Sequence, residues 1–225
     1  MNQDKLKYLR QLKDLYGDEI FLLLEDKKEI TQSSFKKKVN KNTLFSNKND
    51  FNNCLKCADG FSEESFGLSA GDPNASLLII GERPGEQKKL ISDSFDEEVG
   101  ILLDKMLLAI DMSRDNDVFI CNVLNCVFKK EHNSKKQKIN DCEPYLNRQI
   151  DLIQPKLIVA LGENAGKSLL CVEKSLKEMR GTVYKFRSKK LVVTHHPLAL
   201  LKNVSLKSEA WEDFKWIRNL LKLDK

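Results

Sequence analysis

Leu77-Leu78-Ile79-Ile80-Gly81-Glu82-Arg83-Pro84-Gly85 passes from an unbroken apolar tetrad into a turn bounded by two glycines. An apolar run without alternation is the pattern of a strand buried on both faces, and such strands belong to parallel sheets covered by helices. Three further runs read the same way: Val118–Cys121, Leu157–Leu161 and Leu191–Val193. Helical periodicity fills the gaps. Val99, Leu102, Leu103, Met106, Leu107 and Ile110 recur at the spacing of a core-facing helix, and Leu146, Ile150 and Ile153 continue the theme. A last helix carries Trp211, Phe214, Ile217 and Leu221 on one side. Alternating strands and helices predict an α/β fold: three αβα layers around a central, mostly four-stranded parallel sheet.

Ligands of open α/β sheets sit at the carboxyl ends of the strands. Here those ends read Gly81-Glu82-Arg83-Pro84-Gly85, Cys121-Asn122, Gly162-Glu163-Asn164 and Thr194-His195-His196-Pro197. The glycines of the first allow a sharp turn and close backbone approach to a ligand, while Pro84 stiffens it. Its spacing is that of neither a Walker loop nor a dinucleotide fingerprint, which argues against a nucleoside-triphosphate or NAD enzyme. Asn122 offers one acceptor and two donors in a plane, enough to read an imide-type base edge, although a lone asparagine also serves as a turn cap. With Pro197 fixing the loop, an imidazole of the His195-His196 pair can donate to a developing anion. The alternative is two histidines without a chemical role.

The chain has 225 residues, enough for one full-sized domain and an appendage. Its 38 Lys+Arg exceed 33 Asp+Glu, and the resulting +5 permits a nucleic-acid partner without identifying one. No apolar stretch approaches a membrane span, so no membrane partner is expected. The polar start Met1-Asn2-Gln3-Asp4-Lys5 lacks a secretory apolar region. A cytoplasmic location follows as the expectation, and with it reduced thiols. The six cysteines then call for core packing or a metal site. Cys54-Leu55-Lys56-Cys57 forms a CxxC pair, with Cys126 and Cys142 at wider spacing. Four such thiolates suit tetrahedral zinc or an iron–sulfur cluster. Cys121 and Cys171 read as small core residues. Leu6, Leu9, Leu12 and Leu15 predict a short amphipathic helix, followed from Glu25 to Asn53 by a lysine-rich linker. The expected division is residues 1–50 as that helix and linker, and 51–225 as the domain. Lys36–Lys41 and Lys129–Lys138 are candidate phosphate contacts.

Taken together the motifs resemble the family 4 uracil-DNA glycosylases, the iron–sulfur branch of the uracil-DNA glycosylase superfamily. The resemblance runs from about Cys54 to Leu221. It rests on Cys54/Cys57, Gly81-Glu82-Arg83-Pro84-Gly85, Phe95, Asn122, Cys126/Cys142 and His196-Pro197, in that order. The stretches Gln149–Pro155, Ile158–Gly162 and Thr194–Asp213 also look like the family's core signature. Ordered matches over most of a chain are far more specific than any single motif.

The resemblance implies a uracil-DNA glycosylase-like fold and a structural [4Fe-4S] cluster on Cys54, Cys57, Cys126 and Cys142. It implies hydrolysis of the N-glycosidic bond of deoxyuridine in single- or double-stranded DNA by base flipping, with the enzyme acting as a monomer. Phe95 would stack on the flipped uracil, and Asn122 would read its O4 and N3–H. Gly81, Arg83 and Gly85 would line the base, and His196 would donate to O2. Leu200 or Leu201 would wedge into the space the base leaves. The chain departs from the family pattern in four places, one of them Asn125-Cys126-Val127-Phe128-Lys129-Lys130, which stands where the family has K-C-R-P-P. Glu86-Gln87-Lys88-Lys89 is basic where relatives are acidic, and Phe95 lies in Asp93-Ser94-Phe95-Asp96 without its usual proline and glycines. Arg83 fills a position where other branches place a water-orienting side chain. An arginine does not deprotonate, so Glu82 or the turn's backbone is left to orient water. Alternative readings are a catalytically weak member that binds uracil-containing or damaged DNA, and a zinc-stabilised protein-interaction domain.

Overall fold

The computed structural model describes residues 69–83, 97–124 and 135–223. In chain order the elements are β1 (Ala70–Gly71), β2 (Leu77–Gly81), α1 (Glu97–Leu108), β3 (Val118–Asn122), α2 (Lys135–Ile153), β4 (Leu157–Leu161), α3 (Glu163–Leu170) and α4 (Leu176–Met179). There follow β5 (Tyr184–Phe186), β6 (Lys189–Thr194), α5 (Pro197–Lys202), a 3₁₀ turn (Val204–Leu206) and α6 (Lys207–Leu223). The sheet order is β1-β3-β2-β4-β6-β5. The four strands expected from the apolar runs are its parallel centre, and β1 and β5 add short antiparallel edges.

Alternate residues of each central strand feed two cores. Leu78, Ile80, Phe119, Cys121, Ile158, Ala160, Leu191 and Val193 pack under α2, α3 and α4 through Leu146, Ile150, Ala165, Leu169 and Met179. Leu77, Ile79, Val118, Ile120, Leu157, Val159 and Val192 pack under α1 and α6 through Leu103, Leu107, Phe214 and Ile217. Both faces are therefore apolar, which is why these strands show no alternation in sequence. The result is the expected three layers. Among the described residues no helix is long and apolar enough to cross a membrane.

One expectation needs correction. Cys121 is a core residue, 1% exposed on β3, but Cys171 is exposed. It closes α3 in the left-handed conformation (φ 54°), and this turn carries its side chain to the surface. The expected N-terminal helix, the lysine-rich linker and Lys36–Lys41 lie outside the described residues, as does Lys129–Lys138 up to the start of α2.

Candidate active site

The chain runs from β2 to β3 on one side and then returns past β2 to β4 on the other. The crevice between β2 and β4 is thus the topological switch point, where ligands of such sheets bind. Glu82, just beyond β2, is half-buried, and its Oε2 accepts a hydrogen bond from Asn164 Nδ2 at 2.8 Å. That bond spans the switch point. Beside it, Gly81 pairs in register with Asn122, and the ladder continues as Val123 N–H donates to Gly81 O and Leu124 N–H to Glu82 O, both at 2.9 Å. These bonds hold the turn against the end of β3, where Asn122 is 1% exposed. Arg83 is exposed.

On the far side, β6 ends at Thr194 and delivers His195, His196 and Pro197. Pro197 opens α5, where its missing N–H costs no helical bond. His196 is the N-cap: its Nδ1 accepts from Leu198 N–H at 3.1 Å. A ring nitrogen that accepts from a backbone amide carries no proton, so neutral imidazole holds its hydrogen on Nε2 and presents a donor there. Gly162, at the end of β4, makes room for the ring. Its φ of 87° is a backbone state that favours glycine, and a Cβ placed on it would lie 3.2 Å from His196 Cβ. Asn122 and His196 thus stand at the ends of strands three steps apart in the sheet, a backbone span of roughly 14 Å at about 4.8 Å per step.

His195, its sequence neighbour, does something different. It is 6% exposed, and its Nε2 lies 3.1 Å from Glu209 Oε2. Thr194 Oγ1 donates to Asp213 Oδ2 at 2.6 Å. Arg180 grips Asp213 with Nε at 2.8 Å and Nη2 at 3.1 Å, and its Nη1 reaches the Glu209 carboxylate. The hydrogen bond from His195, helped by the Arg180 charge, holds the Glu209 carboxyl below its usual range. In the sequence Thr194 and Asp213 lie within the Thr194–Asp213 signature, and nothing there marks Arg180. The available signal was Asp213 itself, a carboxylate beside the apolar stripe of α6 that has to find a partner.

The remaining candidates divide. Gly85, Phe95, Cys54, Cys57 and Cys126 lie outside the described residues. Of the two candidate wedge leucines, Leu200 is 1% exposed and packs with Leu102 and Ala210, whereas Leu201 is 39% exposed. Cys142 is 3% exposed on α2. Among the described residues no group of three or more His, Cys, Asp or Glu side chains is placed to hold a metal. Burial pushes the Cys121 thiol far up, so it stays protonated and serves packing rather than ligation. The donor set still fits a cluster. Four cysteines are the donor set such a cluster takes, and Cys142, the one of them that is described, sits away from water.

The family model described as Uracil DNA glycosylase superfamily matches residues 68–215. The type-4 uracil-DNA glycosylase of Sulfurisphaera tokodaii is 35% identical over 175 residues, covering 74% of this chain and 80% of that protein. That of Archaeoglobus fulgidus is 31% identical and covers 74% and 87%, and that of Thermotoga maritima is 29% identical and covers 75% and 90%. The matched span contains the whole sheet and both ends of the crevice.

Proposed function

The chain belongs to the uracil-DNA glycosylase superfamily, and from that membership we propose how its own residues carry out the reaction. It is a DNA-repair hydrolase that cleaves the N-glycosidic bond of deoxyuridine, releasing uracil and leaving an abasic site. One observation supports the assignment of roles: buried Asn122, and His196 whose Nδ1 accepts from Leu198 N–H, stand at strand ends on opposite sides of the switch point.

The target base has to leave the stack to reach this crevice, so contacts there must offset the cost of unstacking. Asn122 reads the base edge. Its amide donates to O4 and its carbonyl accepts from N3–H, whereas cytosine would set an amino group against a donor. Phe95 stacks on the ring, with Gly81, Arg83 and Gly85 around it. As the glycosidic bond lengthens, the sugar becomes cation-like and negative charge grows on the leaving uracil. His196 Nε2–H donates to O2 as that charge appears, an interaction stronger in the transition state than in the ground state. Water then adds to the sugar carbon. A carboxylate has about four acceptor positions over two oxygens. Asn164 holds one of these oxygens and so fixes the aim of Glu82, the group that in this reading orients that water. Of the two candidate wedges, Leu201 is the exposed one, and in this reading it enters the vacated stack.

Cys54, Cys57, Cys126 and Cys142 would hold a [4Fe-4S] cluster, which supplies a structural cross-link rather than a reaction step. The enzyme's partner is uracil-containing DNA. A base-release assay on uracil-, hypoxanthine- and thymine-containing single and double strands tests the reading. Uracil is expected to be released, and Asn122→Ala and His196→Ala each to slow release by about 10²–10³-fold. Full activity in both variants would overturn the site.

A further inference from the structure

We propose that Thr194, Asp213, Arg180 and Glu209, with His195, form a positioning frame that sets the aim of His196. The proposal rests on the reading of His196 as the donor to the leaving base. Both residues that precede His196 are tied by their side chains to α6. Thr194, fully buried, donates to Asp213, and His195 meets Glu209. One guanidinium then joins the two carboxylates, because Arg180 takes Asp213 with two nitrogens and also reaches the side chain and the carbonyl of Glu209.

The placement argues for more than stability. Arg180 follows α4, in one helical layer, while α6 belongs to the other, so the bridge passes over the end of β6. Packing alone would be served as well by apolar side chains of similar volume, since a largely buried ion pair gains little over them. What charged, bidentate bonds add is direction. They end one and two residues before an imidazole that is also held from other sides. Leu198 N–H fixes its Nδ1, and Gly162 lies against its Cβ. A frame of this kind matters only if the aim of the ring matters. A donor serving a developing charge is such a case, because a misplacement of about 1 Å can cost about 10²-fold in rate.

The test uses the full-length enzyme, the wild type beside Asp213→Asn, Thr194→Val, Thr194→Ser and His196→Ala. Asp213→Asn turns an amide toward Arg180. Single-turnover uracil release is expected to fall by about 10–100-fold. Affinity for an oligonucleotide whose target uridine carries a 2′-fluorine, which keeps the base attached, should change less than about 3-fold. Imidazole ¹⁵N spectra should show His196 shifting from one Nε2–H tautomer to a mixture. A rate equal to wild type overturns the frame. So does a slow variant whose His196 tautomer is intact, or whose binding weakens in step with its rate, since a merely structural role predicts those. Should Asp213→Asn not fold, the threonine pair decides by the same criteria. Thr194→Val should be slow and Thr194→Ser, which keeps the hydroxyl, should recover, whereas a fast Thr194→Val overturns the proposal. His196→Ala separates the two levels. Full activity there removes the donor role itself, while a slow His196→Ala beside a fast Asp213→Asn removes the frame alone.

Discussion

At the scale of single residues, the crevice depends on groups whose chemistry was legible and on one whose geometry was not. Asn122 and His196 stand out in sequence because each follows an apolar strand, where ligands are met. Gly162 stands in an equivalent place, yet its sequence says only that a turn begins. In the fold it has φ 87° and ψ 170°, a combination nearly restricted to glycine, and a Cβ there would stand only 3.2 Å from His196 Cβ. Gly162→Ala therefore meets two costs together. Forcing the backbone is expected to destabilise the protein by about 1–3 kcal/mol. Pushing the imidazole aside should slow uracil release beyond what the stability loss explains. Denaturant unfolding and single-turnover release, measured well below the unfolding midpoint, check the two separately. A variant that is less stable but equally fast would place Gly162 in the turn alone.

At the scale of elements, burial decided what could be read. The central strands were visible because both faces are covered, and α1 and α6 because one stripe of each is apolar. For α2 the apolar positions Leu146, Ile150 and Ile153 marked only the second half. The helix begins at Lys135 and continues through an exposed Pro144, whose missing hydrogen bond water can replace. The edge strands were not legible. β1 has two residues, and the β5–β6 hairpin turns at Arg187-Ser188, with φ of 46° and 66°, without the glycine or asparagine that signals such a turn. Arg187 is there for another reason, since its Nη2 reaches both oxygens of Asp151 on α2, at 3.1 and 3.0 Å. Ser188 has no such bond to keep. Relief of its left-handed backbone should outweigh the added freedom of glycine, so Ser188→Gly is expected to stabilise the protein by roughly 0.5–1 kcal/mol. Thermal unfolding measures it, and a lowered midpoint would show that the turn gains nothing from glycine.

At the scale of the whole molecule, the bridge from Arg180 to Asp213 and Glu209 joins the two helical layers across the end of β6. Sequence could not foretell it, because its members are scattered over strand, helix end and helix, and only the fold brings them together. It also makes part of the stability depend on pH. The groups facing Glu209 are His195 and Arg180, with Asp213 beyond the guanidinium, and the hydrogen bond from His195 is the largest cause of the lowered Glu209 value. A carboxyl held low binds fewer protons in the folded state than in the unfolded one. Its contribution is therefore present above the ordinary value of about 4.5 and is lost as pH falls through the depressed one. The Glu209 side chain is half exposed, so this contribution should stay below about 1 kcal/mol and shrink with added salt. Comparing wild type with Glu209→Gln tests the sign. The wild type should be the more stable near neutral pH, and the two unfolding curves should converge as pH falls past the carboxylate range. A gap that widened on acidification would mean that the folded state raises the proton affinity of Glu209, and the ionised bridge between the layers would have to be abandoned.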